Sequence, residues 1–222
     1  MKGFQTDTGN NVLYLSITQH SICEQSKKPR EGFEKVVIQL QNGDELTKYL
    51  KRYRFIRGYV TGITYRDTGD KYKVRFQSWQ IQITDEDGDQ AQLAIDLNSN
   101  AGSRFMKLAE NIDWKQMVEF QAWHDTKDDK TAFVVKQNGN SVPQKYKQPT
   151  EESPNAMLDC PPAVKRERAS GKVEYDYTEQ EDFLFKKMQN VVIPAVEAAN
   201  AGRSMANDAP SDTEEDDWSD QF

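Results

Sequence analysis

Long apolar runs are missing from this 222-residue chain. None approaches the ~20 residues needed to span a bilayer, and the N-terminus lacks the charged-then-apolar pattern of a signal peptide. No membrane partner and a cytoplasmic location are therefore expected. Cysteine is scarce: Cys23 and Cys160 are too far apart and too few to make a disulfide framework. Histidine is equally scarce. His20-x-x-Cys23 has ligand-like spacing, but a closed zinc site needs four ligands, and only His124 and Cys160 remain. Nucleotide-binding glycine loops, His-Glu-x-x-His and an elbow serine are all absent. Asp85-x-Asp87-Gly88-Asp89 resembles a piece of a calcium loop but lacks its length and closing glutamate, so a hairpin turn explains it better. Neither an enzyme nor a cofactor is expected.

What the chain has in quantity is alternation. Val12–Thr18, Glu34–Leu40, Phe55–Tyr65, Lys71–Thr84, Gln90–Leu97, Gln116–His124 and Thr131–Lys136 are period-two runs rich in β-branched and aromatic residues, and are predicted strands. Phe105, Leu108, Ala109 and Ile112 share one helical face, with Ser103 as the expected cap. The prediction is a mainly-β domain over residues 1–139. Its five later strands match an OB-like Greek-key barrel with one short helix between strands three and four, and the earlier strands add to the edge. A β-sandwich with one crossover helix fits the same order. Residues 140–177 hold five of the eight prolines and read as a linker. Thr178-Glu179-Gln180-Glu181 has the form of a capping box, opening an amphipathic helix over 178–203 that Pro194 should bend.

Charge is unevenly placed. Residues 46–84 carry nine basic and two acidic side chains together with eight of the chain's 23 aromatics. Phosphates attract Lys and Arg, while unstacked bases pair with flat π-surfaces, so the combination points to single-stranded nucleic acid. A tight turn at Asp67–Asp70 would pair Arg66 with Lys71 and Tyr65 with Tyr72. Tyr59, Tyr65, Tyr72 and Phe76 would then share the apolar face, and Arg66, Lys71, Lys73, Arg75 and Trp79 the basic one. A bulge near Gln77–Gln80 would let the faces swap further along. On this reading Arg54, Arg57, Arg66, Lys71, Lys73 and Arg75 contact phosphates, and Trp79 with Tyr59 or Tyr72 stacks on bases. Trp123 is a weaker candidate.

The last residues, 204–222, contain seven carboxylates and no Lys or Arg, and carry the whole net charge of −7. Such a run cannot bury enough apolar surface to offset its ordering, so disorder is expected. It ends in Glu214-Glu215-Asp216-Asp217-Trp218-Ser219-Asp220-Gln221-Phe222, an acidic string with aromatic ends, suited to docking in a basic-rimmed apolar pocket. With the predicted strand order, this tail resembles the single-stranded DNA-binding proteins of bacteriophages, which join an OB-fold to an acidic C-terminus ending in Phe. The tail departs from the bacterial pattern in having Gln221 where Pro precedes the terminal Phe. The resemblance implies non-sequence-specific single-stranded DNA binding in replication, recombination or repair, in the host cytoplasm if the protein is viral. Glu214, Glu215, Asp216, Asp217, Trp218, Asp220 and Phe222 would recruit replication proteins such as polymerase or helicase, and a second copy of the chain is a further expected partner. The alternatives are an RNA-binding OB module and a DNA-mimicking adaptor that works through its acidic tail.

Overall fold

Alternation of apolar residues dominates the architecture, as the sequence predicts. The computed structural model describes residues 12–39, 45–69, 75–146, 160–168 and 171–207. Lys71, Tyr72, Lys73 and the tail from residue 208 lie outside them. The strands of the main body are β1 (Val12–Thr18), β2 (Ser21–Ser26), β3 (Glu34–Gln39), β4 (Glu45–Tyr53), β5 (Ile56–Asp67), β6 (Gln77–Thr84), β7 (Gln90–Asp96), β8 (Val118–Asp125), β9 (Lys130–Gln137) and β10 (Asn140–Ser141). Helix α1 (Asn100–Leu108) lies between β7 and β8. The ten strands form one sheet in the order β10-β9-β8-β5-β6-β7-β1-β2-β4-β3.

The expected barrel closure is not made by strand pairing. The edge of β7 is taken by β1, which pairs with it in parallel from Val12↔Gln90 to Ser16↔Ala94. Leu13 and Leu15 of β1 thereby extend the same buried face as Leu93 and Ile95. The sheet curls until β2 lies against β8. No ladder closes this seam among the described residues; side chains span it instead. His20 and His124 stack with ring centroids 4.1 Å apart, and His20 Nδ1 is 2.9 Å from Thr131 Oγ1. Gln19 and His20 turn with positive φ, 46° and 61°, which brings the His20 ring to β8.

One face of the sheet is the core. Ile56, Val60, Ile63, Trp79, Ile81, Ile83, Phe120 and Phe133 are buried there against α1 and a C-terminal helix. Ser99, not Ser103, caps α1: its Oγ accepts from Gly102 N at 3.0 Å. Gly102 has no room for a side chain, because a Cβ would collide with the Asp96 carbonyl.

The region read as a linker contains a second sheet, β11 (Val164–Glu167) with β12 (Val173–Asp176). Its strands are short and carry mainly charged residues, so hydrophobic alternation could not announce them. The capping box is not used either. Asp176 Oδ1 accepts from Thr178 N at 3.0 Å and from Thr178 Oγ1 at 2.7 Å. Helix α2 (Thr178–Lys187) then passes through a wide turn, Met188–Val192, into α3 (Ile193–Asn207). Ile193 N–H bonds Met188 O five residues back, which fits the ring of Pro194 without ending the helix. Leu184, Met188, Val192, Val196 and Ala199 are buried in the common core. The C-terminal helix is thus part of the folded body.

Its last turns also repair a defect in β5. The β5–β6 ladder shifts register between Val60 and Gly62, leaving a bulge at Thr61. Asn200 Nδ2 donates to Thr61 O at 2.8 Å, and Arg203 donates to Val60 O and Trp114 O, both at 3.0 Å. The Val60 and Thr61 carbonyls beside the bulge therefore each accept from a side chain of the C-terminal helix.

Candidate nucleic-acid interface

The β5–β6 hairpin decides which side chains face out, and its register differs from the sequence expectation. Tyr65 pairs with Trp79 rather than Tyr72, seven positions further along. An odd shift reverses every side chain of the returning strand. Trp79 therefore faces the core: it is 0% exposed and packs against Tyr65 and Phe185, with ring centroids 5.5 and 5.2 Å away. It cannot stack on a base. Phe76, expected inside, is 56% exposed. The bulge also lies in β5 rather than near Gln77–Gln80. Gly58 pairs with Val118 of β8. A Cβ there would come within 2.5 Å of Thr84 O.

The turn is longer because Asp67 organises its base. Its carboxylate accepts from Arg75 Nε at 3.0 Å, from Gly69 N at 2.8 Å and from Gln77 Nε2 at 3.2 Å. These bonds, led by the Arg75 guanidinium, hold its pKa well below the usual carboxylate range. Arg75, expected on phosphate, is thus engaged within the loop. Thr68 and Phe76 bond each other in both directions, Thr68 N to Phe76 O at 3.0 Å and Phe76 N to Thr68 Oγ1 at 2.8 Å. This places Phe76 at the rim of the sheet.

Among the described residues, two recesses on the solvent side combine an arginine with an exposed ring. The first, about 350 Å³, is bordered by Tyr14, Arg66 and Phe76 over a floor of Ser78, Gln80 and Gln92. Tyr14 is 65% exposed. The floor is fixed: Gln92 Nε2 donates to Gln80 Oε1 and Gln80 Nε2 to Ser78 Oγ, each at 2.7 Å. Arg66 is exposed, as its predicted role requires.

The second recess, about 540 Å³, follows the seam between β2–β4 and β8, and its lining includes Ser21, Arg52, Tyr53, Arg54, Gln121 and Trp123. Trp123 is 45% exposed. Its strand is only half buried: Val118, Phe120 and Ala122 point in, and Trp123 takes the alternate outward position. Arg52 reaches Gln19 O and Ser21 Oγ, both at 3.2 Å, and pairs with Glu34 at 3.5 Å. The Tyr53 phenol donates to Glu24 at 3.3 Å. Burial, then the Glu24 charge and this bond, push its ionisation up to about 12.

The remaining predicted residues divide. Arg54 and Arg57 are exposed, but Arg57 lies beside Glu119 on the β5–β8 ladder and donates to Met117 Sδ at 3.9 Å. Tyr59 is not free for stacking, since the Arg203 guanidinium sits 4.9 Å from its ring centre. Lys71, Tyr72, Lys73 and the docking residues Glu214–Phe222 lie outside the described residues. Tyr14 and Phe76, exposed at the first recess, are not among the predicted DNA-binding residues. For Tyr14 the signal was present: it stands between Leu13 and Leu15, at the outward position of an alternating strand. No group of three or more metal-ligating side chains occurs among the described residues. Comparison with protein-family profiles, curated proteins and solved structures gives no match.

Proposed function

We propose that the chain binds single-stranded DNA with little sequence preference, as a non-enzymatic protein of replication, recombination or repair. The observation that carries this reading is the first recess. Tyr14 and Phe76 are large rings left in water at 65% and 56% exposure, beside Arg66 and over a polar floor. A folding domain gains nothing from exposing them, whereas a base needs a flat ring and a phosphate needs a cation. Strand order supports the same reading. The neighbours β7, β6, β5, β8 and β9, with a helix between β7 and β8, are compatible with an OB-type Greek key, in which the second and third strands would carry the ligand face. Here those strands are β6 and β7, the floor of the recess. The acidic tail, with Trp218 and Phe222, would recruit partner proteins of replication once DNA occupies the basic surface. Titration with oligo-dT tests the reading. Wild type should bind, and Phe76→Ala and Arg66→Ala should each bind more weakly; absence of binding by wild type overturns it.

A further inference from the structure

We infer that the groove at the seam is a second single-strand subsite, in which Trp123 stacks on a base and Arg54 holds a phosphate; the inference rests on the reading above. The groove exists only because β2 and β4, strands outside the five-strand Greek key, come round to β8. Three observations carry it. Trp123 is 45% exposed, though half of its strand is core. Arg54 is exposed and makes no hydrogen bond or ion pair among the described residues, so its donors are free for a ligand. The groove is also held open by a built frame. Arg52 fastens the Gln19–Ser21 turn, and the His20–His124 stack fixes that turn to β8, with His124 Nε2 2.9 Å from Asp129 Oδ1. An exposed indole beside two guanidinium groups suits a nucleotide: the ring pairs with a base face, and the charges attract a phosphate and are weakly hydrated.

The two recesses share one surface. Cross-strand partners run Arg52↔Cys23, Cys23↔Ser16, Ser16↔Ala94 and Ala94↔Gln80. Arg52 of the seam and Gln80 of the first recess therefore lie on the same face, four ladder steps or ~19 Å apart at the usual strand spacing. One extended single strand can cross the sheet and occupy both. Binding at the second recess then becomes intramolecular, so a long oligomer should bind much more tightly than a short one.

The test uses the full-length chain and oligo-dT of ~4 and ~16 nucleotides, the span of site sizes for one such domain. Trp123→Ala should weaken binding of the long oligomer roughly tenfold or more, the usual worth of one base–aromatic stack, and affect the short one less. Arg54→Ala, at an exposed position that leaves the core intact, should flatten the salt dependence of log K by about 0.7. If both variants bind the long oligomer like wild type while Phe76→Ala weakens it, the second subsite is refuted and the single-strand function stands. If wild type binds neither length, the function fails and the inference with it.

Discussion

Trp79 separates a structural from a binding role for the β5–β6 hairpin. The indole is 0% exposed, and a side chain of this class buries ~150–250 Å², worth ~4–6 kcal/mol at 25 cal/mol per Å². Trp79→Ala also leaves a cavity between Tyr65 and Phe185, so the expected loss is about 3–5 kcal/mol of folding stability. That would take a large part of a typical domain's margin of ~5–15 kcal/mol. Trp79→Phe should behave differently. The indole Nε1 is buried without a hydrogen-bond partner among the described residues. Phe gives up volume but removes an unsatisfied donor that costs ~1–3 kcal/mol, so the two effects nearly cancel. Urea unfolding followed by far-UV circular dichroism should show a large drop in midpoint for Ala and a shift under ~1 kcal/mol for Phe. Oligo-dT affinity of the Phe variant should equal that of wild type. A folded Trp79→Ala protein of normal stability that has lost DNA affinity would refute the burial argument.

Arg203→Ala strips donors from Val60 O and Trp114 O and should cost about 2–4 kcal/mol in urea unfolding, with Arg203→Lys recovering only part; an unchanged midpoint would show that the C-terminal helix does not support the bulge. Tyr53 ionises only near pH 12 in the folded state, against ~10 unfolded, so the folded protein holds this proton more tightly and the resulting stability, complete below pH ~10, is lost as pH rises from 10 to 12. Tyr53→Phe should flatten that alkaline decline, and a parallel decline in both proteins would contradict it. Removing residues 208–222, with all seven carboxylates, should raise affinity for single-stranded DNA at low salt, and added salt should shrink the difference. Equal affinities at low salt would show that the tail does not compete for the basic surface.

The strands that alternate cleanly were legible. Val12–Thr18 is a strand with the bounds read from its sequence, and β5, β7, β8 and β9 start and stop within two residues of expectation. What escaped has physical causes. Ser21–Ser26 and Glu45–Tyr53 are rich in polar and charged residues because one lies at the seam and the other near the sheet edge, where alternation is weak. The hairpin register depended on Asp67 bonding Arg75, Gly69 and Gln77 at once, a long-range choice that a local turn motif does not encode. Because that register has period two, the error moved Trp79 and Phe76 to opposite faces together. Trp123 was underrated for a related reason. Its strand is buried on one side only, and its exposure depends on β2 approaching without covering it. Arg203 was invisible as the partner of Tyr59, being 144 residues away along the chain.

Single-strand binding itself is tested most directly by titrating the full-length protein with oligo-dT at several salt concentrations, following intrinsic tryptophan fluorescence. Trp79 and Trp114 are buried, so Trp123 should dominate any change at the folded surface. Fluorescence should be quenched with saturation, and log K should fall with log salt at a slope near −3 to −4, about −0.7 for each of roughly four to six phosphates. A slope near zero, or no quenching together with no binding by sedimentation at any salt concentration, would contradict a basic, ring-lined surface that takes up single-stranded DNA.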